Sequence, residues 1–398
     1  MSKWNKITLS VILVFLLVIG CSHSRQISTV TNIIQRTKAH FVPDSRVDRF
    51  DVKVEPHSKP LTLTGVTTLP KAKSALMDSL SQRNIKVVDS IRVLPSADLN
   101  NGIYALVNNS VANFRSTPSH AAQLATQALL GMPLKILEQK NNWYLVRTPD
   151  DYISWVNASN IKRINKTDYN NWKNASKIIY TDTYGFSYQK PSSAGEHVSD
   201  LVAGDILQLQ GNSGNYYRVS YPDGRTAYIS KSEAKPFGEW VKDLKVTKSS
   251  LVSVAKTMLG VPYLWGGTST KGVDCSGFTK TIYYMNGRVL PRDASQQVHA
   301  GKFVDSTKDW NKLQVGDLLF FGQPATDSTK QHIVHVGMWI GNDQFIHSSG
   351  NVHISSVDST AKNYDAYNVG RYVETRRYLN NWRGNIIKTA NMYEDLEK

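Results

Sequence analysis

The sequence predicts an α+β chain of several domains: a small α+β module, two small β-barrels, and a larger α+β domain towards the C-terminus. Three observations predict it. Residues 46–98 carry a strand, strand, helix, strand pattern. An aromatic and turn-rich motif between 100 and 237 occurs twice. From about 245 the texture changes to an amphipathic helix, a second helix and alternating strands.

In the first module, Arg49-Phe-Asp-Val-Lys-Val and Leu61-Thr-Leu-Thr-Gly alternate as half-buried strands do. Ala75, Leu76 and Leu80 then fall at helical spacing, and Ile85-Lys-Val-Val reads as a strand. The module resembles the BON domain. In the repeat, Trp143-Tyr144-x-Val146-x-x-Pro149-Asp150 returns as Tyr216-Tyr217-x-Val219-x-x-Pro222-Asp223, and Trp155-Val156 as Tyr228-Ile229, both at an offset of 73 residues. Pro-Asp followed by Asp or Gly is turn chemistry, and short aromatic strands between turns make small barrels. With Val111-Ala-Asn-Phe-Arg-Ser-x-Pro118 as its opening, the first copy (99–165) resembles bacterial SH3-like domains, as does the second (175–237). Residues 245–375 read as one α+β domain, and 376–398 as a polar tail.

The chain has 398 residues, enough for two to four domains. Its net charge of +15 favours an anionic surface or substrate. No dense Lys/Arg run or nucleic-acid module accompanies that charge, so nucleic acid is not an expected partner. At the N-terminus, Lys3 and Lys6 precede an apolar run from Ile7 to Ile19 that ends in Gly20-Cys21, the layout of a secretory signal peptide. Val18-Ile19-Gly20-Cys21 resembles the lipobox of bacterial lipoproteins, which implies acylation of Cys21 and an exported chain anchored to the bacterial membrane. Residues 22–45 then read as a tether. With Cys21 acylated, Cys275 is a lone thiol in an exported protein, with no disulfide partner.

That thiol lies in Asp274-Cys275-Ser276-Gly277-Phe278. Phe278, Ile282 and Met285 continue at helical spacing, which places Cys275 at a helix N-terminus, where backbone N–H groups stabilise a thiolate. A base is also needed. His335-Val-Gly-Met-Trp-Ile and Phe345-Ile-His347 flank a turn at Gly341-Asn342-Asp343, six residues from each histidine, so a hairpin is expected to set the two rings opposite one another. His335 then acts on the thiol and His347 fixes its tautomer. No metal is expected. His332, His335, His347 and Cys275 include ligand types, but residues 332 and 335 point to opposite faces of a strand.

Five stretches in order carry a resemblance to the NlpC/p60 family of papain-like cell-wall peptidases: Val261-Pro-Tyr-Leu-Trp-Gly-Gly, Asp274-Cys-Ser-Gly-Phe, Leu290-Pro-Arg-Asp-Ala-Ser295-Gln-Gln, Leu313-Gln-Val-Gly-Asp-Leu-Leu-Phe-Phe and His335-Val-Gly-Met. The resemblance implies a cofactor-free cysteine peptidase with Cys275 as nucleophile, His335 as base and His347 as third polar residue. Peptidoglycan stem peptides are its implied partner. Tyr263 and Trp265 would line the site, and Ser295 would contact substrate. The order of anchor, two barrels and catalytic domain resembles a branch that cuts the γ-D-glutamyl bond to a diamino acid in peptides with a free L-Ala amine. In that branch Asp274 and Ser276 would hold the amine, joined by a tyrosine of the first barrel, here Tyr152. The stretch Gly322–Gln331 is longer than usual for the family and reads as a rim loop. Two alternatives stand beside this reading: an amidase or transpeptidase on the same residues, and an inert wall-binding lipoprotein.

Overall fold

The computed structural model describes residues 24–100 and 102–396. The chain divides into two compact units, residues 1–99 and 100–398. Among the described residues no helix is long and apolar enough to cross a membrane.

In the first unit, helix α1 (24–41) is followed by β1 (Phe50–Glu55), β2 (Leu61–Thr67), α2 (Pro70–Ser81) and β3 (Val87–Val93). β2 pairs antiparallel with β1 and parallel with β3, and α2 is the crossover that parallel pairing requires. The expected tether over 22–45 is corrected here, since most of it is helix. Val30, Ile33, Ile34 and Thr37 make one buried stripe at helical spacing. The first three pack with Phe50, Leu63, Leu76 and Ile91. Polar residues between those positions hide the stripe in the sequence.

The second unit opens with two barrels. The first contains β4 (Tyr104–Val107), β5 (Val111–Arg115), β6 (Leu124–Leu129), β7 (Pro133–Lys140), β8 (Trp143–Arg147), β9 (Ile153–Asn157) and β10 (Ile161–Ile164). Helix α3 (Lys166–Asn174) leads to β11 (Lys177–Tyr180), β12 (Tyr184–Tyr188), β13 (His197–Val202), β14 (Ile206–Ser213), β15 (Tyr216–Ser220), β16 (Thr226–Ser230) and β17 (Ala234–Pro236). Every strand of the second barrel begins 73 residues after its counterpart, and the strand order is the same in both sheets. Even the bulge recurs, at Ile136/Glu138 and again at Leu209/Gly211. The barrels meet where Asp205 accepts the N–H groups of Leu130 (3.1 Å) and Val202 (2.9 Å). Gly131 has φ +77°, and a Cβ there would lie 2.1 Å from the carbonyl oxygen of Ile206, so only glycine fits this joint.

The remainder begins with α4 (Phe237–Asp243) and α5 (Lys248–Thr257). The short pair β18 (Thr268–Ser269) and β19 (Gly272–Val273) precedes α6 (Cys275–Tyr284), β20 (Arg288–Val289) and α7 (Ala294–Gln297). A six-stranded sheet follows: β21 (Lys302–Asp305), β22 (Leu318–Gln323), β23 (His332–Gly341), β24 (Gln344–Ser349), β25 (Asn351–Ser356) and, after α8 (Ala366–Gly370), β26 (Tyr372–Arg377), in the order β21-β26-β22-β23-β24-β25. Helix α6 is buried along its length. Its residues Phe278 and Ile282 share a core with Leu318, Phe320, Val336, Met338 and Ile346 of the sheet. Papain-like and SH3-like elements thus occur in one α+β chain, as the sequence predicts.

The stretch expected as a polar tail is folded as far as it is described. β27 (Ile387–Lys388) pairs with β20, and α9 (Met392–Asp395) follows. Met392 and Tyr393 are buried beside Trp172, Ile179 and Tyr284. The Tyr393 hydroxyl donates to Gly131 O at 2.8 Å, and the Tyr169 hydroxyl donates to Tyr393 O. This segment therefore closes over the junction of both barrels and α6.

Candidate active site

Cys275 is the first residue of α6, with Asp274 as its N-cap. The helix starts where backbone segments approach closely. A Cβ at Gly277 would lie 1.9 Å from Gly267 O, and one at Gly266 (φ +81°) would lie 2.5 Å from Leu124 O of the first barrel. These glycines let the loop carrying Tyr263 and Trp265 fold directly against the helix start.

Asp274 is fully engaged. Oδ1 accepts the N–H of Gly277 (2.7 Å) and the Ser276 hydroxyl (3.2 Å), and Oδ2 accepts the N–H of Gly266 (2.9 Å). Arg292 adds a fork, Nη1 to Oδ1 at 3.1 Å and Nη2 to Oδ2 at 2.5 Å. Five donors meet a group with about four lone-pair sites. A ligand amine that reaches Asp274 directly must therefore take the place of donors already there. Arg292 also donates to Ser276 Oγ (3.0 Å) and, through Nε, to Thr126 Oγ1 of β6 (3.0 Å). Although it is 1% exposed, it is the hub of the cluster. Reading the sequence for nucleophiles and bases missed it. The signal was its place in Leu290-Pro-Arg-Asp, where a lone arginine follows an apolar pair.

Further bonds dock the first barrel on this corner. Thr268 donates its N–H to Gln127 Oε1 and its hydroxyl to Gln127 O, each at 2.9 Å. Lys280 of α6 forms a buried ion pair with Asp150. Asp150 belongs to a tight turn in which Thr148 N–H donates to Tyr152 O (3.0 Å) and Asp151 adopts φ +65°. The turn holds Tyr152 in a buried position, close enough to Arg292 for the phenol and the guanidinium to interact electrostatically.

The sulfur of Cys275 is buried, and the backbone N–H groups of Val336 and Ser276 are near enough to favour its charged form. Val336 follows His335, so the helix start abuts the strand that carries His335. Burial, reinforced by the Asp274 carboxylate, pushes the thiol up to about 12. This corrects the expectation of a resting thiolate. At the same helix start the N–H of Gly277 is taken by Asp274. Tyr263 stays protonated because burial and the Asp274 carboxylate push its phenol up, leaving an O–H donor near the sulfur.

His335 Nε2 lies 2.8 Å from His347 Nδ1, and His347 Nε2 lies 3.0 Å from Ser355 Oγ. Burial pushes both imidazoles down to about 3, so both are neutral at pH 7. The histidines are not directly opposite, as the sequence suggested. The hairpin turns at Asn342-Asp343, both at positive φ, and a bulge falls between Trp339 and Gly341. Met338 pairs with Ile346, and continuing that register sets His347 against Gly337. A Cβ on Gly337 would lie 3.1 Å from the His347 Cβ. His335 therefore reaches His347 along the diagonal, which long side chains can span.

Other expected residues lie elsewhere. Trp265 is 61% exposed, and Ser295 is half-buried on α7. Cys21 lies outside the described residues. His332 is exposed at the start of β23. The loop 324–331 joining β22 to β23 is largely exposed.

Comparison with known proteins bears on this geometry. The NlpC/P60 family model matches residues 260–371, and the bacterial dipeptidyl-peptidase Sh3 domain model matches 114–161. The chain is 32% identical over 270 residues to a γ-D-glutamyl-L-lysine dipeptidyl-peptidase of Bacillus cereus, covering 66% of this chain and 77% of that protein. It is 30% identical to the protein of the same name from Bacillus subtilis, covering 56% of this chain and 72% of the relative. A crystal structure of an NlpC/P60 family protein from Bacillus cereus superposes with a TM-score of 0.59 at 26% identity, over 69% of this chain and 99% of that one. The chain belongs to the NlpC/P60 family of cysteine peptidases.

Proposed function

We propose that this protein cleaves the γ-D-glutamyl bond to a diamino acid in cell-wall stem peptides whose L-Ala amine is free. One observation carries the reading: a buried thiol at a helix start lies beside the backbone N–H of Val336, the residue next to His335, whose ring is held by His347. The names of the relatives support the bond, and their cell-wall chemistry supports action outside the cytoplasm.

His335 takes the thiol proton as the Cys275 sulfur attacks the γ-glutamyl carbonyl carbon. The tetrahedral oxyanion is met by backbone N–H groups at the start of α6 and by the Tyr263 hydroxyl. Collapse breaks the C–N bond, and the leaving amine takes the proton from the His335 imidazolium. Water, deprotonated by His335, then attacks the thioester, releasing the dipeptide acid and restoring the thiol. Because neither partner is charged at rest, proton transfer accompanies attack. In this reading Ser276 and Tyr152, beside the Asp274–Arg292 pair, select the free amine. Lipid attachment at Cys21 would keep the enzyme at the membrane surface.

The test is incubation with L-Ala-γ-D-Glu-meso-diaminopimelate and identification of the products by mass spectrometry. Release of L-Ala-D-Glu that is abolished by Cys275→Ala supports the reading. Equal release by that variant removes it, and transfer to an added amine in place of water makes the chemistry a transpeptidation.

A further inference from the structure

The cluster of Asp274, Arg292 and Tyr152 accounts for the acyl side of a bound peptide. The leaving side must lie against His335, which protonates the departing amine. The residues there are set by the sheet. Phe321 pairs with His335 on one side and with Tyr372 on the other, so the three form one row across β23, β22 and β26. Adjacent strands stand about 4.8 Å apart. Arg371, just before Tyr372, is tied to the same row because its carbonyl accepts the N–H of Gly322 at 2.8 Å.

The guanidinium of Arg371 is directed by a chain of side chains that ends at the histidines. Nε and Nη2 both donate to Asn368 Oδ1, at 3.1 and 2.7 Å. Asn368 Nδ2 donates to Asp365 Oδ2 at 2.5 Å, and that oxygen lies 3.8 Å from His347 Nε2. The charge of Arg371 is felt at both imidazoles, where it acts with burial to hold them neutral. No carboxylate lies within ion-pair distance of this guanidinium among the described residues. Tyr367, 72% exposed, stacks on it at 4.2 Å from ring centroid to Cζ. An exposed aromatic ring that holds an uncompensated guanidinium in place leaves the arginine's remaining donors for an incoming anion.

We propose that Arg371, held by Asn368 and Tyr367, is the subsite for a carboxylate of the leaving diamino acid. The inference rests on the γ-D-glutamyl peptidase reading and adds the recognition of the released residue. The guanidinium grips a carboxylate, so peptides whose leaving residue keeps its acid groups free are preferred to those in which they are amidated.

Binding to the inactive Cys275→Ala protein separates this inference from the reading beneath it. Calorimetric titration would use L-Ala-γ-D-Glu-meso-diaminopimelate and the same peptide with both diaminopimelate carboxyls amidated. Adding Arg371→Gln should weaken binding of the acid form roughly tenfold, the order expected for a lost charge-assisted bond. The amide form should bind as before, and Arg371→Lys should restore part of the loss. Equal weakening of both peptides, a change under about twofold for the acid form, or no binding of the acid form by the Cys275→Ala protein overturns the proposal. Turnover of the acid peptide by the parent chain is read separately. If the parent cuts nothing, the peptidase reading falls, while the titration still decides Arg371.

Discussion

His335 presents Nε2 to Nδ1 of His347 across 2.8 Å, and His347 passes its own Nε2 to Ser355 at 3.0 Å. In the proposed mechanism Nδ1 of His335 is then the nitrogen that takes the thiol proton. For that nitrogen to accept, Nε2 must carry the proton and donate to His347, and His347 must in turn be protonated at Nε2 and donate to Ser355. One tautomer thus runs along the chain. Replacing His347 with Ala should lower kcat about a hundredfold with little change in KM, as expected when the group that orients a base is lost. Steady-state kinetics on the tripeptide decide it, and an unchanged kcat would remove His347 from the relay.

The same burial makes the fold sensitive to acid. Both imidazoles are held near 3, against about 6.5 in an unfolded chain. Between those values the unfolded chain binds more protons, so stability is fully present above about pH 6.5 and falls as the pH drops towards 3. The melting temperature should therefore decline from pH 7 to pH 4.5, and His347→Gln should decline less over the same range. Parallel curves for the two proteins would contradict this account.

Gly337 makes room for the diagonal. A Cβ there would lie 2.9 Å from a ring carbon of Phe345 as well as 3.1 Å from the His347 Cβ. Gly337→Ala should cost about 1–3 kcal/mol of stability, in the range of core overpacking. It should lower kcat further than its stability loss explains, because His347 must shift. Urea unfolding and kcat measured on the same preparation separate the two effects.

Arg292 and Asp274 form a buried fork next to Cys275. Arg292→Ala strands the carboxylate and should destabilise the domain by about 3–5 kcal/mol. Pairing it with Asp274→Ala should cost less than the sum of the single losses, because no charge is left uncompensated. Denaturant titration of the four proteins gives the coupling, and strict additivity would argue against a shared role.

Selection of a free amine has its own test. N-acetylation of the L-Ala should slow cleavage roughly 10- to 100-fold, the range for losing charge-assisted bonds. Tyr152→Ala should narrow the gap between the two peptides. Equal rates on both would remove the restricted specificity and leave the peptidase.

The sequence made the fold class legible through period and repetition. The aromatic pairs Trp143-Tyr144 and Tyr216-Tyr217 mark equivalent strands, and their constant spacing extends to every strand of both barrels. What escaped is what depends on a single inserted residue or on distant packing. The bulge between Trp339 and Gly341 turns a direct pairing of histidines into a diagonal one, and no composition rule marks it. Helix α1 was missed because its apolar stripe is narrow. Arg292 gave no sign of its importance because its partners, Asp274, Ser276 and Thr126, are far apart in the chain.

The repeated barrels also give the molecule a direction of assembly. Tyr152 and Arg225 occupy the same place in the two copies. The turn before Tyr152 anchors the first barrel to Lys280. The turn before Arg225 anchors the second barrel to the first, with Asn108 donating to Asp223 at 3.0 Å and Arg225 donating to Asn108 O at 3.4 Å. A single hairpin, copied once, serves as a coupling that always faces the neighbouring body. The pair is thus a polar stack, in which each member's hairpin docks on the body that comes next in space.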